Sequence, residues 1–128
     1  VSLLLDTHAA IWWWTEPDRI GARCRPLIAK RASLVYFSAA SAYELGQKQR
    51  WRGASLPSTL LQNLAAHLDA EGWIILPISL DHATRAGLHI STHRDPFDRL
   101  LAAQAEIENL TLVTCDPAFA TFGTRTLW

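Results

Sequence analysis

Hydrophobic residues fall along this chain in short blocks separated by stretches of helical spacing. Ser2-Leu5 is an apolar run that stops at Asp6-Thr7, the pattern of a buried strand. His8 to Thr15 then reads as a helix, with Ile11, Trp12 and Trp14 available for burial. Pro17-Asp18 restarts the chain, and Ile20 to Arg31 reads as a second helix. Leu34-Phe37 is the next β-prone run, and Ser38 stands where an N-cap would start a helix from Ala39 to about Trp51. Gly53 to Ser58 reads as a turn. Leu60, Leu61, Leu64, Ala65 and Leu68 keep helical spacing up to Gly72, a natural C-terminal stop. Trp73-Ile78 is a third strand, Ser79 caps a short helix to about Gly87, and His89 to Arg94 is a polar loop. Pro96 opens a helix to about Glu108. Thr111-Thr114 is a fourth strand, Pro117 to Phe122 a turn or short helix, and Thr124-Leu127 a last short strand.

Strands alternating with helices predict an α/β fold: one domain over residues 1–128, with a mostly parallel sheet flanked by helices on both faces. Right-handed crossovers put successive strand ends along one edge, and such sheets bind ligands outside the carboxyl ends of their strands. Four acids fall there. Asp6 follows the first strand and Asp116 the fourth; Glu44 lies in the second turn of the helix after strand two, and Asp98 in the first turn of the helix entered through Asp95-Pro96. Each has an ordinary structural explanation as well. Asp95-Pro96-Phe97-Asp98 is good helix-start chemistry, Asp116-Pro117 and Asp6-Thr7 are capping pairs, and Glu44 and Lys48 are spaced as a surface ion pair.

Together the acids ask for a cation. Two carboxylates about 4 Å apart repel by roughly 4 kcal/mol at an effective dielectric near 20. Carboxylate oxygens without a soft ligand favour Mg²⁺ or Mn²⁺ over zinc, and such an ion activates water and stabilises charge on a phosphoryl oxygen. Charge adds a second hint. The net charge is zero, yet eight basic residues between Arg19 and Arg52 face the single acid Glu44, a surplus that attracts polyanions. Cys24 and Cys115 are far apart and lack metal-ligand neighbours, which suits free thiols in a reducing compartment. No apolar run reaches the roughly 18 residues of a membrane span, and no signal peptide is visible, so a cytoplasmic location is expected.

Other chemistries are short of their motifs. A phospho-receiver module wants adjacent acids after the first strand and a late Lys, but Asp6 stands alone and no Lys follows Lys48. His8 occupies the position where an aspartyl phosphatase needs its second Asp. The G-x-S-x-G elbow and the P-loop are absent. Trp12-Trp13-Trp14 is too wide for one helix face, so at least one indole is expected to point outward or into a partner.

The series Leu3-Leu4-Leu5-Asp6-Thr7-His8, Ser41-Ala42-Tyr43-Glu44-Leu45 with Lys48, His93-Arg94-Asp95-Pro96-Phe97-Asp98-Arg99-Leu100-Leu101-Ala102-Ala103-Gln104-Ala105, and Leu112-Val113-Thr114-Cys115-Asp116 with Phe119 resembles the PIN-domain toxins of the VapC type. The resemblance runs over essentially the whole chain. It implies a metal-dependent endoribonuclease that uses Mg²⁺ or Mn²⁺, with Asp6, Glu44, Asp98 and Asp116 as the metal-binding and catalytic acids. It implies Asp95 as the cap supporting Asp98 and Thr114 as a supporting hydroxyl. It also implies an RNA substrate, a homodimer, and a VapB-like antitoxin whose tail covers the cleft. Gly46-Gln47 departs from the pattern, since related chains more often carry apolar residues after the Glu. The alternative is a PIN-fold scaffold that binds RNA or protein without cutting.

Overall fold

A computed structural model describes residues 1–52 and 56–128. The five strands are β1 (Ser2–Leu5), β2 (Leu34–Ser38), β3 (Ile74–Leu76), β4 (Thr111–Val113) and β5 (Thr126–Leu127). They form one sheet in the order β3-β2-β1-β4-β5, and every pairing is parallel. The helices are α1 (Thr7–Thr15), α2 (Arg25–Ala29), α3 (Ala39–Arg52), α4 (Ser58–Gln62), α5 (Leu64–Glu71), α6 (Leu80–Leu88) and α7 (Pro96–Ile107). Single 3-10 segments at Pro17–Arg19 and Pro117–Phe122 complete the described elements.

Side chains alternate across a strand, so a fully apolar strand feeds two cores at once. Leu3 and Leu5 of β1 join Val35, Phe37 and Val113 under Ala9, Ala10, Ile28, Leu45 and Leu68 from α1, α2, α3 and α5. Leu4 points the other way and joins Leu112, Leu76, Leu101, Ala102, Ala105 and Phe119 beneath α7. The expected layering, with helices on both faces of a parallel sheet, is therefore what the chain builds.

Three elements differ from the sequence pattern. The helix expected over Ile20–Arg31 is only Arg25–Ala29. Pro26 has no N–H to give to a preceding turn, so it sits in the first turn of a helix that starts late. Just upstream, Gly21 lies against Trp128, whose carbonyl carbon leaves no room for a Cβ there. The stretch from Leu60 to Leu68 is broken at Asn63, whose side-chain amide donates to the Thr59 carbonyl (3.0 Å) and ends α4. Strand β3 stops at Leu76 because Pro77 cannot donate to the ladder. The turn expected over Gly53–Ser58 lies largely outside the described residues, and Ser58 opens α4.

The Trp run is also resolved inside the chain. Trp12 packs edge-on against Trp128 (5.6 Å) and carries the Arg19 guanidinium over its ring at 4.3 Å. Trp14 stacks on Trp73 (5.4 Å) and leans on Phe37, while Trp13 tilts against Trp73 and donates its N–H to Glu71 (3.1 Å). All three indoles are half-buried: each packs against the core and leaves part of its surface open. Among the described residues no helix is long and apolar enough to cross a membrane.

Candidate active site at the carboxyl edge of the sheet

The parallel pairing of β1 with β4 decides where two of the acids go. Leu5 is in register with Val113, and the Asp6 N–H donates to the Val113 carbonyl (3.1 Å). Asp6 and Asp116 therefore leave neighbouring strands at the same edge. Asp6 is the N-cap of α1: its Oδ1 accepts from the Ala9 N–H at 2.7 Å. The residue is only 7% exposed. Burial pushes its carboxyl above the ordinary range; hydrogen bonding from the Thr114 side chain pulls it back, and the Asp116 charge adds to the rise. Asp116 caps the 3-10 segment after β4 through Ala118 N–H (2.9 Å), and its own N–H donates to the Thr114 hydroxyl (3.0 Å). Thr114 thus hydrogen-bonds at both acids: its hydroxyl reaches the Asp6 carboxyl and accepts from the Asp116 N–H.

Glu44 reaches the same edge from the second turn of α3. Ser38 starts that helix, its hydroxyl accepting from Ala40 N–H (3.0 Å). Glu44 Oε1 accepts from the Thr7 hydroxyl (2.6 Å), and Thr7 lies 3.1 Å from Ser41 Oγ. Since Thr7 follows Asp6 directly, this bond fastens Glu44 to the start of α1. Lys48 stands 3.4 Å from Glu44 Oε2 and 3.4 Å from His8 Nε2. The pair is more enclosed than the surface bridge its spacing suggests, with the Glu44 side chain 14% exposed. Gly46 is exposed, and the neighbouring Leu45 takes the core position.

Asp98 lies in the first turn of α7, and Asp95 is the cap in front of it. Asp95 Oδ1 accepts from both Phe97 N–H (2.9 Å) and Asp98 N–H (3.2 Å). Burial pushes the Asp98 carboxyl up to about 6 from 3.8; the His93 hydrogen bond works against that shift, while Asp95 and Asp116 add to it. The His93 contact, Nε2 to Asp98 Oδ2, is 2.7 Å. Nothing in the sequence of its polar loop signals that the loop folds back onto α7, so the contact between His93 and Asp98 is legible only in the structure.

The loop is held there by Arg99. Its guanidinium donates to the carbonyls of Ala86 (2.8 Å), Ser91 (2.8 Å), His93 (2.8 Å) and His89 (2.6 Å), with Gly87 at 3.4 Å. The role is structural, and although Arg99 follows Asp98 directly its partners are backbone oxygens rather than an acid. A flat fork of donors suits several carbonyls at once.

The four acids share one edge, and Asp116 is felt by both Asp6 and Asp98. Among the described residues, however, no three acid, His or Cys side chains are gathered as tightly as metal ligands. Asp6, Glu44 and Asp98 are each turned onto a protein partner. The basic surplus is likewise less concentrated than the sequence suggests. Arg19 and Arg25 pair with Glu16 and Asp18, and Lys30-Arg31 precede β2, at the opposite edge from Glu44.

A test of this electrostatic picture follows from Asp98. A carboxyl whose folded pKa lies above its unfolded value loses stability on ionising. The loss is absent below about pH 4, builds as pH rises, and is complete above about pH 6. Asp98→Asn cannot ionise and still offers an oxygen to His93. Its stability relative to the parent chain is expected to increase from pH 4 to pH 7 by about 1 kcal/mol, allowing for solvent screening. Urea unfolding at the two pH values measures it, and a pH-independent difference would remove the buried-charge account.

Comparison with known proteins agrees with this architecture. Residues 3–124 match the PIN domain family. The chain is 35% identical over 118 residues to Ribonuclease VapC22 of Mycobacterium tuberculosis, covering 90% of this chain and 87% of that protein. In fold it resembles VapBC2 from Rickettsia felis, solved bound to a DNA fragment from its promoter (TM-score 0.75, 17% identity, 99% and 98% of the two chains). It also resembles a toxin–antitoxin complex from Klebsiella pneumoniae (TM-score 0.59, 20% identity, 92% and 90%). With a parallel five-stranded sheet, acids at its carboxyl edge and these matches over nearly its whole length, the chain belongs to the PIN-domain family, with a VapC ribonuclease among its relatives.

Proposed function

We propose that this chain is a divalent-metal-dependent endoribonuclease that hydrolyses RNA phosphodiester bonds, serves as the toxin of a toxin–antitoxin pair in the cytoplasm, and is silenced by a cognate VapB-like antitoxin. The observation that carries the catalytic part is electrostatic. Asp6 and Asp98 are both held above the ordinary carboxylate range by burial, and the Asp116 charge adds to both. Such a set gains from a cation, and its donors are all oxygens, which suits Mg²⁺ or Mn²⁺.

Asp6, Asp98 and Asp116 would hold the ion, with Glu44 binding it or a water beside it. When bound, the ion supplies positive charge that acidifies water and neutralises the phosphate under attack. The residues of the chain do the rest. Glu44, fixed by Thr7, takes the proton of the attacking water. Lys48, 3.4 Å from Glu44 Oε2, orients that carboxylate. Asp95 and the Thr114 hydroxyl keep Asp98 and Asp6 in position. The 35% identity to a VapC ribonuclease supports the activity, and the likeness to VapBC and toxin–antitoxin structures supports an antitoxin partner. A homodimer belongs to the same reading.

The test is cleavage of a total-RNA pool by purified, antitoxin-free protein with Mg²⁺, Mn²⁺ or EDTA, run beside Asp116→Asn. Discrete fragments that require metal and vanish in the variant are expected. RNA bound but never cut, under any metal, would replace the nuclease with a binding scaffold.

A further inference from the structure

We infer that the groove between α3 and the first turn of α7 is a stacking subsite for an unpaired nucleobase next to the scissile phosphate; the inference rests on the ribonuclease reading above. Two large aromatic side chains on α3 are open to solvent, Tyr43 at 67% and Trp51 at 68% exposure. Neither belongs to the packed cores of the sheet. They are eight residues apart, so they lie on one side of the helix about 12 Å from each other. Phe97 from α7 meets Tyr43 with ring centres 5.6 Å apart and planes tilted by 36°. Glu44, Gln47, Lys48, Trp51, Asp95 and Phe97 line one groove. The aromatic surface is thus continuous with a candidate catalytic acid.

The groove sets Glu44, Gln47, Lys48 and Asp95 beside its rings, a polar lining that favours a nucleobase over an apolar protein segment as the occupant. Arg50 on α3 and Arg94 just before α7 are exposed, and among the described residues neither has a carboxylate partner, so both are open to a phosphate. Base stacking on exposed rings needs a nucleobase with an open face, which single-stranded RNA offers and a duplex hides. The Gln47 amide, midway between the rings, can both donate to and accept from a base edge. The subsite therefore selects unpaired RNA and places it against Glu44.

The experiment uses short unpaired RNA carrying 2-aminopurine, bound in EDTA so that it stays intact, and the same sequence annealed into a duplex. The parent protein is expected to quench the single strand and to bind it more tightly than the duplex. Tyr43→Leu and Trp51→Leu are each expected to weaken single-strand binding about tenfold and reduce the quench, while Tyr43→Phe retains both. With metal, the Leu variants raise KM for RNA and leave kcat close to the parent's. If the parent binds RNA and both Leu variants match it, the subsite is wrong. Loss of self-association or of antitoxin binding in those same variants would then assign the rings to a protein contact. If the parent binds no RNA in EDTA yet cleaves it with metal, the subsite is wrong; if it neither binds nor cleaves, the ribonuclease reading falls and the subsite falls with it.

Discussion

Asp6→Asn is expected to lower RNA cleavage at least a hundredfold while leaving the fold intact or slightly firmer. The amide keeps an oxygen for the Ala9 N–H, so the start of α1 remains capped. It removes a charge that burial disfavours. What it cannot do is contribute a negative ligand to a hard cation, and losing a group that acts in the transition state costs about two to four orders of magnitude. Single-turnover cleavage with Mg²⁺, paired with a thermal melt in EDTA, separates the two effects. Activity close to the parent's would take Asp6 out of the site. A melt many degrees lower would make it a structural cap instead.

The second large effect is expected at Arg99. Four carbonyls at 2.6–2.8 Å, from Ala86, His89, Ser91 and His93, converge on its guanidinium. Bonds from a charged donor are each worth roughly 1.5–3 kcal/mol, and water recovers part of that in a half-buried setting. Arg99→Ala is therefore expected to destabilise the chain by about 3 kcal/mol and to free the loop that holds His93 on Asp98. Cleavage should fall too, because Asp98 loses its fixed partner. Arg99→Lys, which has no flat fork, is expected to restore little. Urea denaturation, with hydrogen exchange over residues 89–94, measures both parts. A protected loop in Arg99→Ala would show that other contacts hold it.

Much of this was legible in the sequence because the governing patterns are local. An unbroken apolar strand ending in an acid, as at Leu3-Leu4-Leu5-Asp6, states both burial and an edge position. The caps at Ser38, Ser79 and Asp95 are read from their own side chains, and the structure forms each one. What the sequence hides is decided between distant segments. Pro26 shortened α2 by a local rule that the apolar spacing around it obscured. Nothing near Asn63 marks the break between α4 and α5 except the bond its side-chain amide donates to the Thr59 carbonyl one turn back. The three consecutive indoles find Trp73, Phe37 and Trp128, partners 23 to 116 residues away. Arg99 beside an acid suggests a salt bridge, yet the returning loop offers carbonyls first. His93 meets Asp98 only because that loop returns.

The central place of β1 has a consequence for biosynthesis. Its two neighbours are β2 and β4, and the second is more than a hundred residues downstream. Non-local parallel pairing of this kind is slow to form and cannot begin before the partner strand exists. At about 5–20 residues per second, a ribosome exposes the segments bearing Asp6 and Glu44 several seconds before Thr111–Val113 follows them. Until then β1 has one open edge, and Asp6 lacks both the Val113 carbonyl that aligns it and the carboxylate of Asp116 beside it. A nascent or truncated chain thus carries half of the acids in a form unable to act together. A catalyst that attacks RNA would remain harmless to the message and ribosome producing it until Thr111–Val113 and Asp116 have been made.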